Sequence, residues 1–302
     1  MKVYTLTLSP AYDVHADCES FSQGRENLIE ITSREAGGKG VNISRALLSA
    51  GIESKAVVLL GRDNSAEYER ALSEANLDYR AIKIEGKIRE NLTIHSKNGE
   101  TRISQRGFKV SAVVLNDIAK SLDLKKDDVL TVTGRLPDEI SVSDLKELLK
   151  SLKERGVLIV IDSKSFTKED ICEVHPWLIK PNREEITAYI GRDIKNPDDA
   201  RDNLDLISKI KADNILITLD ADGAALVSDG ALYLRKAPKI DTVSTIGAGD
   251  SAIAGFIASK IIGENAEASL RRAVAFGSAA ALTEGSNPPK IEDIKKIIKY
   301  ME

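Results

Sequence analysis

Short apolar runs recur along the chain and predict the strands of a buried sheet. Each run is rich in leucine or β-branched residues and is apolar nearly throughout, which is typical of parallel strands covered on both faces. Six such runs predict strands over residues 2–8, 54–60, 128–134, 157–162, 177–180 and 214–219.

Amphipathic segments between these runs predict helices. The clearest lies over residues 141–156, where Gly156 supplies a C-terminal stop. The alternation of strand and helix implies right-handed crossovers and a doubly wound α/β layer sandwich. The apolar face of this helix is predicted to comprise Val142, Leu145, Leu148, Leu149 and Leu152.

Two segments interrupt the alternation. Residues 11–34 carry no helix signal, and residues 90–107 predict two strands joined around Asn98-Gly99. Small inserted strands commonly cover the carboxyl edge of a sheet, where α/β ligand sites lie. We expect one domain over residues 1–302, with a lid at about 11–35 and 86–108; a surface hairpin without function is the alternative.

The last twelve residues, 291–302, predict an amphipathic closing helix.

Composition excludes several function classes. The chain has 302 residues, 42% hydrophobic and 30% charged, and a net charge of −4 without a basic half. Nucleic-acid binding is therefore disfavoured, because it needs concentrated positive charge. The polar N-terminus and the lack of long apolar runs predict neither a signal peptide nor a membrane span, and hence a cytoplasmic protein.

The two cysteines, Cys18 and Cys172, suit a reducing compartment and provide no disulfide framework. Cys172 and His175 have a Cys-x-x-His spacing, but no second ligand pair accompanies them. A structural role is favoured over a metal site.

The segment "STIGAGDSAIAGF", residues 244–256, is the first candidate for chemistry. Its glycine-rich turn precedes a predicted helix, whose free N–H groups and dipole receive negative charge. Asp250 opposes anion binding there, so its presence needs another reason. It is either an N-cap or a general base that accepts a proton from a substrate hydroxyl while neighbouring N–H groups hold phosphoryl oxygens.

A second glycine cluster, "EAGGKGVNISRALLSAG", lies at residues 35–51. Gly37, Gly38 and Gly40 permit close approach of another molecule, Lys39 supplies a mobile cation, and Asn42 lies in the first turn of a predicted helix.

With "TLSPAYD" after the first strand, "KPNREE" after a later one and "STIGAGDS", these clusters make the chain resemble the ribokinase family of sugar kinases, specifically its PfkB branch. The match runs from Met1 to the C-terminal helix. The resemblance implies a ribokinase-like three-layer α/β/α sandwich with a mainly parallel central sheet and a small β-lid.

The resemblance also implies roles at matching positions. Asp250 matches the catalytic base, and Gly247, Ala248 and Gly249 match the anion hole around the transferred phosphoryl group. In isolation, Asp13 and Asn42 could instead be turn and cap residues. The implied sugar-binding residues are Asp13, Gly38, Lys39, Asn42, Arg89 and Asn91, and the implied nucleotide residues are Asn182, Glu185, Thr218 and Gly223, with Asn182 and Glu185 influencing Mg²⁺.

The implied activity is transfer of phosphate from ATP, with Mg²⁺, to a hexose phosphate. Fructose 1-phosphate is the expected acceptor; tagatose 6-phosphate and fructose 6-phosphate are alternatives, and a sugar-phosphate-binding regulator without catalysis is the alternative of another class. Arg102 on the facing lid strand adds a cation. Exposed lid strands suggest a homodimer through the lid.

Three residues depart from the family pattern. Arg135 replaces a serine after a central strand, Arg106 precedes a lid glycine, and Asp220 stands where relatives usually have glycine. Guanidinium groups bind phosphate bidentately, so Arg135 and Arg106 are predicted to join Arg89 in clamping an anionic group of the substrate. The alternative is that they point to solvent or pair with acids such as Asp138. Asp220 is predicted to weaken ATP binding or to alter nucleotide preference.

Overall fold

The central sheet has nine strands, in a computed structural model that describes residues 1–302. Numbered along the chain together with four lid strands, they lie in the order β13-β12-β11-β10-β9-β8-β1-β4-β5. All pairs from β11 to β5 are parallel, whereas β12 and β13 are antiparallel. Their bounds are β1 Val3–Thr7, β4 Lys55–Gly61, β5 Asp78–Ile84, β8 Val129–Thr133, β9 Leu158–Asp162, β10 Leu178–Ile179, β11 Asn214–Thr218, β12 Ala224–Ser228 and β13 Ala231–Arg235.

All six strands predicted from apolar runs are present, as β1, β4, β8, β9, β10 and β11. The antiparallel hairpin of β12 and β13 was not predicted. Its two-residue loop is Asp229-Gly230, in which both residues have positive φ (50° and 75°), the geometry that Asp-Gly favours in hairpins.

The lid is a separate four-stranded sheet in the order β3-β2-β6-β7. The predicted hairpin is confirmed, but its two-residue turn is Lys97-Asn98, one residue earlier than expected, since Ser96 pairs with Gly99. Parallel pairing of β2 with β6 places Asp13 opposite Asn91. The lid strands are β2 Ala11–Asp17, β3 Glu30–Gly37, β6 Arg89–Ser96 and β7 Gly99–Ser104.

Helices cover both faces of the central sheet and complete the three layers. One apolar core forms against helices that include α4, and a second forms against α1, α9, α10 and α11. The predicted helix at 141–156 is α4; Ser141 caps it, and Leu145, Leu149 and Leu152 are buried. The helices are α1 Lys39–Ser49, α2 Ser65–Glu74, α3 Val114–Ser121, α4 Val142–Glu154, α5 Lys168–Val174, α6 Arg183–Ile190, α7 Pro197–Asp202, α8 Leu204–Ile207, α9 Ala248–Ile262, α10 Ala266–Ala280 and α11 Ile291–Tyr300. None of them is long and apolar enough to cross a membrane.

Gly40 fixes the start of α1 against β1. A Cβ at this position would lie 2.5 Å from Thr7 Oγ1 and 3.0 Å from the Leu6 carbonyl oxygen. The helix N-terminus is thereby held close to the carboxyl end of β1, beside the lid.

Substituting Gly40→Ala should destabilise the protein by about 1–3 kcal/mol, because the methyl group would overpack this contact. The measurement is thermal unfolding followed by circular dichroism. Ser49→Ala, on the same helix, is the control; the Ser49 hydroxyl donates only to the Ala46 carbonyl, so the melting temperature should hardly change. An unchanged melting temperature in Gly40→Ala would show that the contact is not tight.

Candidate active site

A polar cavity of about 370 Å³ lies at the carboxyl edge of the central sheet, covered by lid residues. Most of the residues predicted for catalysis and sugar binding line it, although they come from distant parts of the chain. These are Asp13, Gly38, Lys39, Asn42, Arg89, Asn91, Arg135, Gly247, Gly249 and Asp250.

Asp250 lies in the first turn of α9 and is 6% exposed. The N-cap of α9 is Gly247, so the capping role considered for Asp250 is not what the structure shows. Instead, Asn42 Nδ2 donates to Asp250 Oδ2 at 2.9 Å. Burial raises the pKa of Asp250 to about 6, although Lys39 counteracts this rise. A carboxylate with such a pKa is ionised at neutral pH and accepts a proton more readily than an exposed aspartate.

The turn before Asp250 presents the N-terminus of α9 to the cavity. Gly247 has φ +77°, a left-handed conformation that glycine adopts without strain, and Ala248 begins the helix. Gly247 and Gly249 line the cavity, while Ala248 does not. The first N–H groups of a helix have no intrahelical acceptor, so this turn can receive negative charge.

Two further charged residues, Asp162 and Lys180, line the cavity and were not predicted. Asp162 ends β9, and Lys180 directly follows β10. Lys39 Nζ lies 2.8 Å from Asp162 Oδ2, and Lys180 Nζ lies 3.5 Å from Asp162 Oδ1. The available signal was their position, since a charged residue directly after an apolar strand falls at the ligand-binding edge.

The end of the cavity beneath the lid carries a chain of hydrogen bonds between lid residues. Asn91 Nδ2 donates to Asp13 Oδ1 at 2.9 Å, and Arg89 donates to Asn91 Oδ1 at 2.6 Å. Burial raises the pKa of Asp13, and the hydrogen bond from Asn91 opposes the rise. Carboxylate and amide groups in this arrangement can accept and donate hydrogen bonds to hydroxyl groups.

A smaller recess of about 20 Å³ adjoins the cavity and shares Ser9, Arg89 and Arg135 with it. Arg106 borders only this recess. Neither Arg135 nor Arg106 forms an ion pair, so the pairing with Asp138 considered above does not occur. Both residues are exposed, as the alternative of solvent-facing arginines expects.

Arg102 was predicted as an additional cation, but it is absent from both cavities. Its Nε donates to Glu100 Oε1 at 2.5 Å on the exposed part of the lid. The arginines that face the recess are therefore Arg89, Arg106 and Arg135.

The residues predicted for the nucleotide lie outside both cavities. Asn182 caps α6 and forms a reciprocal capping box with Glu185, while Thr218 ends β11 and bridges to Asn182. Gly223 is in close contact with the end of β13, since a Cβ there would clash with the Arg235 carbonyl oxygen. These roles remain predictions.

No group of three or more His, Cys, Asp or Glu side chains in residues 1–302 could hold a metal ion alone. Mg²⁺ does not need such a group, because it keeps several waters and binds through one or two protein carboxylates together with substrate phosphates. Glu185 and Asn182 are oxygen donors of the required type.

Asp220 lies in a short turn after β11 with φ +53°, a conformation in which glycine is unstrained. Arg183 contacts it, with Nε 3.6 Å from Asp220 Oδ2, and also contacts Asp222 at 2.8 Å. A guanidinium group thus faces the acid that was predicted to disturb nucleotide binding.

Asp220→Gly should leave the KM for ATP within about twofold, because Arg183 already offsets this exposed carboxylate. Arg183→Ala, which leaves both acids without their cation, should raise that KM several-fold. Steady-state kinetics with varied ATP provides the test. A large fall in KM for Asp220→Gly would mean that the acid does weaken ATP binding.

Known proteins resemble this chain along nearly its whole length. The 1-phosphofructokinase of Escherichia coli (strain K12) is 31% identical over 282 residues, covering 92% of this chain and 90% of that protein. The tagatose-6-phosphate kinase of Staphylococcus epidermidis is 27% identical over 310 residues, covering 99% of each. A solved structure of phosphofructokinase-2 from Escherichia coli in complex with substrates and products covers 100% of this chain and 99% of its own, with a TM-score of 0.90 and 24% identity.

This chain therefore shares the three-layer α/β/α fold of that structure. The model of the pfkB family of carbohydrate kinases matches residues 5–293. The chain belongs to this family, and the family resemblance inferred from the sequence is confirmed.

Proposed function

We propose that the protein transfers the γ-phosphoryl group of ATP to a hydroxyl of a hexose phosphate, with Asp250 as the general base. The observation that carries this proposal is the buried Asp250 carboxylate at the N-terminus of α9, inside a polar cavity that also holds Lys39 and Lys180. A base beside an anion-receiving turn suits a reaction in which a hydroxyl loses a proton while oxygens of the transferred phosphoryl group carry negative charge.

The acceptor sugar lies between the lid and the sheet edge in this proposal. Asp13 and Asn91 of the lid and Asn42 of α1 bind its hydroxyls. Asn42 Oδ1 is buried and has no partner within the protein, so it is available to accept a hydrogen bond from the substrate.

In the reaction step, Asp250 accepts the hydroxyl proton as that oxygen attacks the γ-phosphorus in line. The N–H groups at the start of α9, with Lys39, bear the charge of the phosphoryl oxygens. Closure of the lid over the cavity limits hydrolysis of ATP by water.

ATP lies along the C-terminal strands, where Asn182, Glu185, Thr218 and Gly223 are proposed to contact it. Mg²⁺ would be held near Asn182 and Glu185, and it would neutralise phosphate charge when bound.

The phosphate already on the sugar is proposed to bind where the cavity meets the recess, between Arg89, Arg106 and Arg135. Three guanidinium groups without carboxylate partners suit a tetrahedral dianion, which guanidinium forks bind bidentately. The recess adjoins the cavity that holds Asp250, so the bound phosphate and the reacting hydroxyl belong to different ends of the sugar.

Fructose 1-phosphate is the proposed acceptor, which would give fructose 1,6-bisphosphate. The name of the E. coli relative supports it, while the S. epidermidis relative supports tagatose 6-phosphate and the solved phosphofructokinase-2 supports fructose 6-phosphate. All three acceptors carry a phosphate at one end and a primary hydroxyl at the other.

The substrate test is ADP formation with each of these three sugar phosphates at equal concentration. We expect the largest kcat/KM with fructose 1-phosphate. If a sugar phosphate binds in calorimetry but none supports ADP formation, the protein is instead a non-catalytic regulator.

We also propose that residues 1–302 work as one kinase unit whose lid, at about 11–35 and 86–108, pairs with a second copy. Leu28, Ile31 and Ile103 support this, because they are large apolar side chains exposed on the lid. A related structure is of a tetrameric inhibited form of E. coli phosphofructokinase-2. Analytical ultracentrifugation of the wild type and of Ile31→Glu would distinguish a lid-mediated dimer from other states.

A further inference from the structure

One buried carboxylate lies between the two lysines of the cavity. Asp162 is 3% exposed, and its two oxygens contact different ammonium groups, Lys39 Nζ at 2.8 Å and Lys180 Nζ at 3.5 Å. Lys39 begins α1, Asp162 ends β9, and Lys180 directly follows β10. Two ammonium groups are thus held near each other, an arrangement that would be costly without the shared anion.

The lysines also lie at the phosphoryl-receiving turn. A Cβ on Gly249 would be only 3.2 Å from Lys180 Nζ, so this ammonium group is against the start of α9. Each ammonium has three donors, and contact with Asp162 leaves others available to an incoming anion. The Asp162 carboxylate itself would repel a phosphate, because both are anions.

We propose that Asp162 is a positioning residue for phosphoryl transfer: it fixes Lys39 and Lys180 beside the anion-receiving turn and balances their charge on the base, Asp250. This inference rests on the proposed function. It separates two roles within one cluster, because the lysines act on the phosphoryl group, whereas Asp162 holds the lysines and acts on Asp250 through its charge.

The charges that face Asp250 are those of Lys39, Lys180 and Asp162, and Asn42 donates a hydrogen bond to it. The lysines lower the pKa of Asp250 and Asp162 raises it. Burial would raise the pKa of Asp162 itself, but Lys180 and Lys39 hold it below its ordinary value, so Asp162 stays ionised. Removing the charge of Asp162 must therefore lower the pKa of Asp250, whereas removing the charge of Lys39 must raise it.

The experiment measures kcat/KM for the sugar phosphate against pH in the wild type, Asp162→Asn, Lys39→Met and the double variant. The acidic limb of this profile is the fall in kcat/KM at low pH as Asp250 becomes protonated. In Asp162→Asn this limb should move to lower pH by about one unit, and in Lys39→Met it should move to higher pH by about as much. The double variant should return towards the wild-type limb. Ionisation of the sugar phosphate and of ATP is common to all four proteins, so it cancels from the comparison.

Turnover should also fall in Asp162→Asn, by about tenfold to a hundredfold, because the lysines lose their fixed position. Asp128→Asn is the matched control: Asp128 is also buried, but it accepts hydrogen bonds from the backbone of Lys2 and Lys125, and it does not line the cavity. Its acidic limb should stay at the wild-type pH. If Asp162→Asn only disturbed the fold, activity would fall, but the acidic limbs of Asp162→Asn and Lys39→Met would not move in opposite directions.

An unchanged limb in Asp162→Asn, or a shift in the same direction as in Lys39→Met, would overturn the proposal. If Asp162→Asn does not fold, Asp162→Glu provides the test. It keeps the charge, so the limb should stay near that of the wild type, while the longer side chain displaces the lysines and lowers kcat; an unchanged kcat would overturn the positioning role. Absence of kinase activity in the wild type would instead refute the proposed function.

Discussion

Replacing Asp250 by asparagine should lower kcat by about 10²–10⁴-fold, the range that a positioned general base contributes. The amide has almost the same shape as the carboxylate, so substrate binding should change much less than turnover. The amide cannot accept the hydroxyl proton, while the turn at Gly247 and the lysines remain in place. Steady-state kinetics with both substrates varied measures the effect.

The stability of the same variant relative to the wild type should rise from acidic to neutral pH. The pKa of Asp250 is raised from 3.8 to about 6 in the folded protein, so its favourable contribution is present below about pH 4 and is lost as the pH rises through 6. Relative to the wild type, Asp250→Asn should therefore gain about 3 kcal/mol in free energy of unfolding between pH 4 and pH 7.

Urea unfolding at several pH values measures this difference. The Asp128→Asn variant serves as a control, because its site lies outside the cavity. If Asp250→Asn has nearly native turnover with an intact fold, the role of Asp250 as a base is wrong.

Substituting Arg135→Ala should raise the KM for the sugar phosphate tenfold or more and leave the KM for ATP nearly unchanged. A hydrogen bond to a charged group contributes about 1.5–3 kcal/mol, which corresponds to tenfold or more in affinity. Arg135 is exposed where the cavity meets the recess, so it can form such bonds to the substrate. Arg102→Ala is the matched control, since Arg102 contacts Glu100 and lines neither cavity.

Equal affinity for the sugar phosphate in the wild type and in Arg135→Ala would contradict the clamp. A different result would be informative in another way. If the wild type acts poorly on all three hexose phosphates but well on another anionic sugar, then Arg106 and Arg135 have redirected the specificity of the family.

The part of the fold that could be predicted from sequence is the part with a continuous local signal. All six predicted strands belong to the parallel region, where both faces are buried and nearly every residue is apolar. The edge strands β5 and β13 are partly exposed and lack such runs, and β12 is rich in alanine, which has low β-propensity.

The candidate site divides in a similar way. Asp250, Lys39 and Asn42 could be found because glycine-rich turns mark their surroundings in the sequence. Asp162 and Lys180 could not be found so easily, because the contacts of Asp162 with Lys39 and Lys180 are made only when strands distant in sequence become neighbours in the sheet. Likewise, the packing of the lid decides which arginines line the same recess, and the spacing of residues in the sequence does not predict that packing.

The most direct test of phosphoryl transfer with Asp250 as the general base is a ³¹P NMR time course with fructose 1-phosphate, ATP and Mg²⁺. With the wild type, we expect ADP and fructose 1,6-bisphosphate to appear in equal amounts, whereas Asp250→Asn should form neither over the same period. Formation of the bisphosphate at a similar rate by both proteins would contradict the account, as would binding of the sugar phosphate by the wild type without any new phosphate ester.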